Sequence, residues 1–168
     1  MTVPQRDGPD PTAADHDPRW ADLADLILIV AREIQFRGYR DPDAVPLTQT
    51  EGMVMRYLHE HPGAAPSQIA AGTGLQRTNL STVLRGLERK GLAERRASAD
   101  DGRGATIHPT ERGMRNHALT RQEWASAVSA AAAQTTGDLD AAITLLRDIE
   151  IGLIKTRPPV PGRPANLM

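Results

Sequence analysis

Apolar residues recur at helical spacing along most of the chain. Trp20, Leu23, Leu26, Ile27, Val30 and Ile34 follow the i, i+3, i+4 rhythm of an α-helix, and Leu28 and Ile29 add apolar surface on the opposite side. A helix apolar nearly all round calls for burial on two sides, and in a chain of 168 residues a second subunit is the natural source of the second cover. Thr48-Gln49-Thr50-Glu51 has the form of a capping box, which predicts a helix through Met53, Val54, Tyr57 and Leu58 that stops at His61-Pro62-Gly63. Pro66 suits the first turn of a shorter helix through Ile69, Ala70 and Ala71 that ends in Gly72-Thr73-Gly74. After Leu75, the stripe Leu80, Val83, Leu84 and Leu87 predicts a further helix, closed by Gly91. Its opposite face carries Thr78, Thr82, Arg85 and Arg89, with Ser81 at the border. Helix, tight glycine turn, second helix with a small-polar and arginine face is the shape of a helix-turn-helix.

Beyond Gly91 the period changes. Leu92–Ala97 and Ala105–Pro109 have strand character, and the segment Ser98–Gly104 between them is dense in turn formers, which predicts a hairpin with an arginine at its tip. Thr110-Glu111-Arg112-Gly113 opens a long helix through Met114, Leu119, Trp124 and Val128 into the Ala130–Ala133 run, and Gly137-Asp138 breaks it. Leu139, Ile143, Leu146, Ile149 and Leu153 predict a final helix. No internal repeat is visible. The first 17 residues are rich in Pro, Asp and Ala and too poor in large apolar side chains to offset their ordering entropy, so they read as a flexible arm. Residues 157–168 carry four prolines and read as an extended tail.

Composition narrows the chemistry. The absence of cysteine excludes disulfides, a thiolate nucleophile, cysteine zinc sites and thiol redox switching. No apolar run approaches the length of a membrane span and the first residues have no apolar signal core, so the expectation is a cytoplasmic protein with no membrane partner. The formal net charge of −1 hides an uneven distribution: residues 1–60 carry −5, residues 61–115 carry +4 and residues 116–168 carry none. A basic middle is how a local surface for a polyanion would look, although ordinary solvated faces reach the same value. All but Lys90 and Lys155 of the 20 basic residues are arginine, the side chain that grips phosphate or guanine with two parallel bonds.

The stretch Ser67–Gly113 resembles the winged helix-turn-helix of the multiple antibiotic resistance regulator (MarR) family. The resemblance is carried by Leu87-Glu88-Arg89-Lys90-Gly91-Leu92, then Glu94-Arg95-Arg96, then Asp100-Asp101-Gly102-Arg103, then Thr110-Glu111-Arg112-Gly113, in that order and spacing. It implies a mainly α fold with a small β-hairpin wing, a winged helix-turn-helix flanked by N- and C-terminal dimerisation helices. On that plan the chain divides into the arm (1–17), an N-terminal dimerisation helix and loop (18–46), the winged helix-turn-helix (47–113), C-terminal dimerisation helices (114–156) and the tail (157–168). The function implied is a homodimeric transcriptional regulator, usually a repressor, that binds a pseudo-palindrome in double-stranded DNA and is released by a small-molecule effector. The chain departs from the family pattern at Ala65 and Gln76, where capping Ser or Thr is common, at the single Arg103, where two arginines are frequent, and at Pro109, where Leu is usual.

A helix in the major groove presents its N-terminal half to base edges and its arginines to phosphates. Thr78, Thr82 and Arg85 are therefore expected to reach bases, Arg77 and Asn79 to serve phosphates or the helix start, and Ser81 and Arg89 to complete the surface. Strand alternation sends Arg95 and Arg96 to opposite faces, one to a phosphate and the other to support the wing, with Arg96 taken as the contact. Arg103 suits a narrow minor groove, and the resemblance implies that Asp101 holds it.

Other constellations carry less. His59, His61, His108 and His117 make a metal site conceivable, but His59-x-His61 sits at a helix end facing solvent, so no metal and no cofactor are expected. Asp100-Asp101 is better explained by turn chemistry than by acid-base work, and no nucleophile elbow or phosphate loop is present, so the chain is not expected to be an enzyme. The residues of an effector pocket are not identifiable, and Trp20 and Trp124 are expected in core or dimer contacts. The competing reading is a winged helix turned protein-interaction or antirepressor module without specific DNA binding, and a zinc-sensing variant is a third.

Overall fold

Each predicted helix is present within a residue or two of its expected limits. The computed structural model describes residues 17–97 and 104–158, and among these lie six α-helices and one antiparallel hairpin. In chain order they are α1 (Arg19–Phe36), α2 (Gln49–Glu60), α3 (Pro66–Thr73), α4 (Arg77–Arg89), β1 (Ala93–Ala97), β2 (Ala105–Pro109), α5 (Glu111–Ala131) and α6 (Leu139–Lys155). Backbone contacts divide the chain at Gly38 into two units, the first of which holds α1. The arm up to residue 16, the wing tip at 98–103 with Asp101 and Arg103, and the tail from 159 lie outside the described residues.

Helix starts follow the local chemistry. Thr48 Oγ1 accepts from the Glu51 N–H at 3.2 Å while the Glu51 carboxylate accepts from the Thr48 N–H at 2.8 Å, the reciprocal box that the sequence predicts. At α3 the missing hydroxyl of Ala65 is half compensated, because Gln68 Oε1 accepts from the Ala65 N–H at 2.8 Å. Thr110 caps α5 through Gly113, and Asp138 caps α6 through Asp140 and Ala141. The turn between α3 and α4 passes through Gly74 at φ +72°, a left-handed conformation that costs an L side chain about 1 kcal/mol or more.

The core belongs to the winged helix. Val54, Met55 and Leu58 of α2, Ile69 of α3, Leu80, Leu84 and Leu87 of α4, and Leu92 and Ile107 of the wing are almost fully buried and form one cluster. In the wing, Ala93 pairs with Pro109, Arg95 with Ile107 and Ala97 with Ala105. Ile107 also exchanges backbone bonds with Gly63 and Ala64, at 3.0 Å each, which ties the root of the hairpin to the end of α2.

The flanking helices differ. Neither α1 nor α6 has a buried residue; Leu28 is 69% exposed and Leu153 66%. Trp20 and Trp124 stay largely exposed as well, so neither belongs to the core. The C-terminal end of the chain touches the winged helix by polar contacts: Arg56 of α2 pairs with Glu150 of α6 at 2.6 Å, and Arg157 donates to the Ala71 carbonyl at 3.4 Å. No described helix is long and apolar enough to cross a membrane.

Candidate nucleic-acid interface

The candidate surface is built on α4, whose two faces are chemically distinct. Leu80, Leu84 and Leu87 are buried, with Val83 half-buried at the margin. Arg77, Thr78, Asn79, Ser81, Thr82, Arg85 and Arg89 are all exposed, so the seven helix residues expected at a nucleic-acid surface all face solvent. Ser81 Oγ donates to the Arg77 carbonyl at 2.9 Å and Thr82 Oγ1 to the Thr78 carbonyl at 3.4 Å, while Arg85 leans on Thr82 Oγ1 at 3.3 Å. These back-bonds occupy the hydroxyl protons, and Thr82 Oγ1 also accepts from Arg85. Among the described residues, Arg77, Asn79 and Arg89 make no intramolecular ion pair.

In the wing, Arg95 reaches back to Glu88 of α4 at 3.3 Å, whereas Arg96 pairs with Glu94 of its own strand, Nε to Oε1 at 2.8 Å. Arg95 thus acts as the brace between hairpin and α4. Arg96 is exposed and keeps a flexible partner. Asp101 and Arg103 fall at the wing tip and carry no structural statement.

Several residues that position α4 gave no isolated signal. Glu51 is 7% exposed, and its carboxylate accepts from Lys90 Nζ at 2.6 Å as well as from the Thr48 amide. Burial alone would raise this carboxyl, but the Lys90 ammonium and the Thr48 donors outweigh it and hold it below the ordinary glutamate range. Gly86 lies directly over this carboxylate, where a Cβ would stand 2.8 Å from Oε1. Past the end of α4, the carbonyls of Lys90, Gly91 and Leu92 are taken by the Arg112 guanidinium, the Thr110 hydroxyl and the Thr110 amide. A glycine opposite a buried glutamate 35 positions earlier leaves no periodic trace, so only packing exposes it.

The histidines do not converge on one point. His59 stacks on His117 with ring centroids 4.3 Å apart, and His61 on Tyr57 at 4.5 Å. His59 and His61 are both exposed at the end of α2, as expected, and each also stacks on a neighbouring ring. Among the described residues no group of three or more His, Asp or Glu side chains is placed to hold a metal ion.

Residues 45–104 match the family model described as MarR family. Over that stretch the chain is similar to the MarR family. MarR proteins of known structure share the fold well beyond it. NadR in complex with 4-hydroxyphenylacetate is 20% identical, covers 88% of this chain and 100% of its own, and superposes with a TM-score of 0.64. A MarR family protein from Bacillus stearothermophilus is 17% identical, with 83% and 99% covered and a TM-score of 0.64. Streptococcus pneumoniae FabT in complex with DNA is 23% identical, with 83% and 96% covered and a TM-score of 0.60. No curated protein sequence matches the chain. SlyA and MepR, which share the fold at 22% and 19% identity, are described as transcription regulators.

Proposed function

We propose that this protein is a homodimeric transcriptional regulator that binds a pseudo-palindromic operator through α4 and the wing, acts as a repressor, and is released by a small-molecule effector. The observation that carries the reading is the outward face of α4, where Thr78, Thr82, Arg85 and Arg89 lie opposite the buried leucines with Ser81, Arg77 and Asn79 exposed beside them. Their side-chain types and positions suit groove binding, with Thr78, Thr82 and Arg85 toward base edges, Arg77 and Asn79 toward phosphates, and Arg89 and Arg96 toward the flanking backbone. Arg103, steadied by Asp101, is assigned to the minor groove.

Dimerisation is supported by the apolar surface that α1 and α6 leave exposed, each more than a monomer has reason to show. Two copies related by a two-fold axis would present two recognition helices to one duplex about one helical turn apart. A ligand complex of NadR and a DNA complex of FabT support the two partner classes.

Fluorescence anisotropy with the duplex upstream of its own gene tests the reading. The expected result is salt-sensitive, sequence-selective binding that Arg85→Ala weakens by about 1–3 kcal/mol. Equal affinity for random duplex, or unchanged binding after joint replacement of Arg77, Arg85 and Arg103 by alanine, would hand the molecule to the protein-interaction reading.

A further inference from the structure

Residues 40–48 connect nothing that periodicity would notice, yet they are held at both ends by specific side chains. Toward α5, the Glu123 carboxylate accepts from the Arg40 and Asp41 amides, at 2.7 Å each. One step further along, the carboxamide of Asn116, itself 3% exposed, pairs with both backbone groups of Val45: the Val45 N–H donates to Oδ1 at 2.7 Å, and Nδ2 donates to the Val45 carbonyl at 3.2 Å. Asn116 thus stands in for a neighbouring strand.

The next residue turns to a different helix. The Pro46 carbonyl accepts from Lys90 Nζ at 2.9 Å, and the same ammonium is locked to Glu51 at 2.6 Å. Leu47 donates to the Tyr39 hydroxyl at 3.3 Å, and Thr48 enters the capping box that Glu51 closes. Consecutive residues therefore clasp α5 on one side and the end of α4 on the other. The Glu51 carboxylate also lies under Gly86, so the contacts of this segment reach the backbone of α4 through Lys90 and Glu51.

We propose that residues 45–48 form a strap coupling α5 to the recognition helix, with Asn116, Lys90 and Glu51 as positioning residues that set how α4 is presented to DNA. The inference rests on the nucleic-acid reading above. Asn116 and Lys90 each bond the strap at adjacent residues, Val45 and Pro46, which adds a second link between α5 and the end of α4 to the direct bonds made by Arg112 and Thr110. The charge on Lys90 is already neutralised by Glu51, so its contribution is geometric and not one of counterion release.

The strap is testable by a double-mutant cycle on the full chain with Asn116→Leu and Lys90→Met. Binding is measured against the duplex upstream of its own gene and against a scrambled duplex, across a salt series. Each single variant is expected to lower the ratio of specific to scrambled affinity about tenfold with the salt slope unchanged, and the double variant to lose little more than either single one. Val54→Ala, a core truncation that removes none of the strap's hydrogen bonds, serves as the stability control: it lowers the melting temperature without changing the ratio. A wild-type ratio in both single variants, or losses that multiply in the double, would overturn the strap while leaving the DNA-binding reading intact. A wild-type protein that does not distinguish the two duplexes would overturn both.

Discussion

The winged helix and the helices that flank it draw on comparable apolar sequence and dispose of it in opposite ways. In the winged helix the leucines of α4 and the apolar side of α2 lock into one cluster with Ile69, Leu92 and Ile107. In α1 and α6 the same residue types stay in solvent, with Leu28, Phe36, Leu139 and Leu153 each about two-thirds exposed. A stripe of leucine and isoleucine announces that something must cover it, without saying what. The winged helix finds its cover within the chain. The flanks leave it exposed, the surface on which the proposed second copy would pack.

The contrast can be broken most sharply by truncating one leucine in each region. Leu84→Ala is expected to cost about 2–5 kcal/mol in urea unfolding, because it removes a buried side chain and leaves a cavity. Leu153→Asp should leave the winged helix folded but weaken self-association by about 2 kcal/mol or more, roughly thirtyfold in the dimer constant seen by sedimentation velocity. Equal unfolding losses at the two sites, or an unchanged dimer, would erase the distinction.

Smaller effects refine it. Gly86→Ala should destabilise by about 1–3 kcal/mol, since its methyl meets the buried Glu51 carboxylate, whereas Gly52→Ala on the open side of α2 should be neutral or slightly stabilising by thermal melt. The smallest change is expected from pH. Burial, then the charges of His59 and Arg121, disfavour the protonated form of His117, with Glu60 pulling the other way, so its folded pKa lies below the ordinary 6.5. As pH falls below 6.5 the unfolded chain takes up a proton that the folded chain resists, and stability declines until the folded ring titrates. His117→Phe should flatten that part of the curve in thermal melts between pH 7.5 and 5.

Local signals located the elements because they are local. Thr48 and Glu51 cap one another three residues apart, and Leu80, Leu84 and Leu87 fall on one side of a single helix. The outward residues of α4 followed from the same geometry, since the face opposite a buried stripe must be exposed. The supporting shell was invisible for the converse reason. Lys90 meets Glu51 across 39 residues and Asn116 meets Val45 across 71, and no periodicity links such pairs. The histidines show the same limit: the solvent exposure expected of His59 and His61 is there, but the stacking of His59 on His117 comes only from the docking of α2 on α5.

From the order of residues alone came the helices, their caps, the hairpin and the face of α4 that points away from the leucines, because propensity, capping and amphipathic period act over a few neighbouring positions. The fold in three dimensions decided which carboxylate neutralises Lys90, why position 86 must lack a side chain, and how the segment before α2 is fastened to α5. Those outcomes depend on distances between parts of the chain far apart in sequence, and such distances exist only once the core has closed.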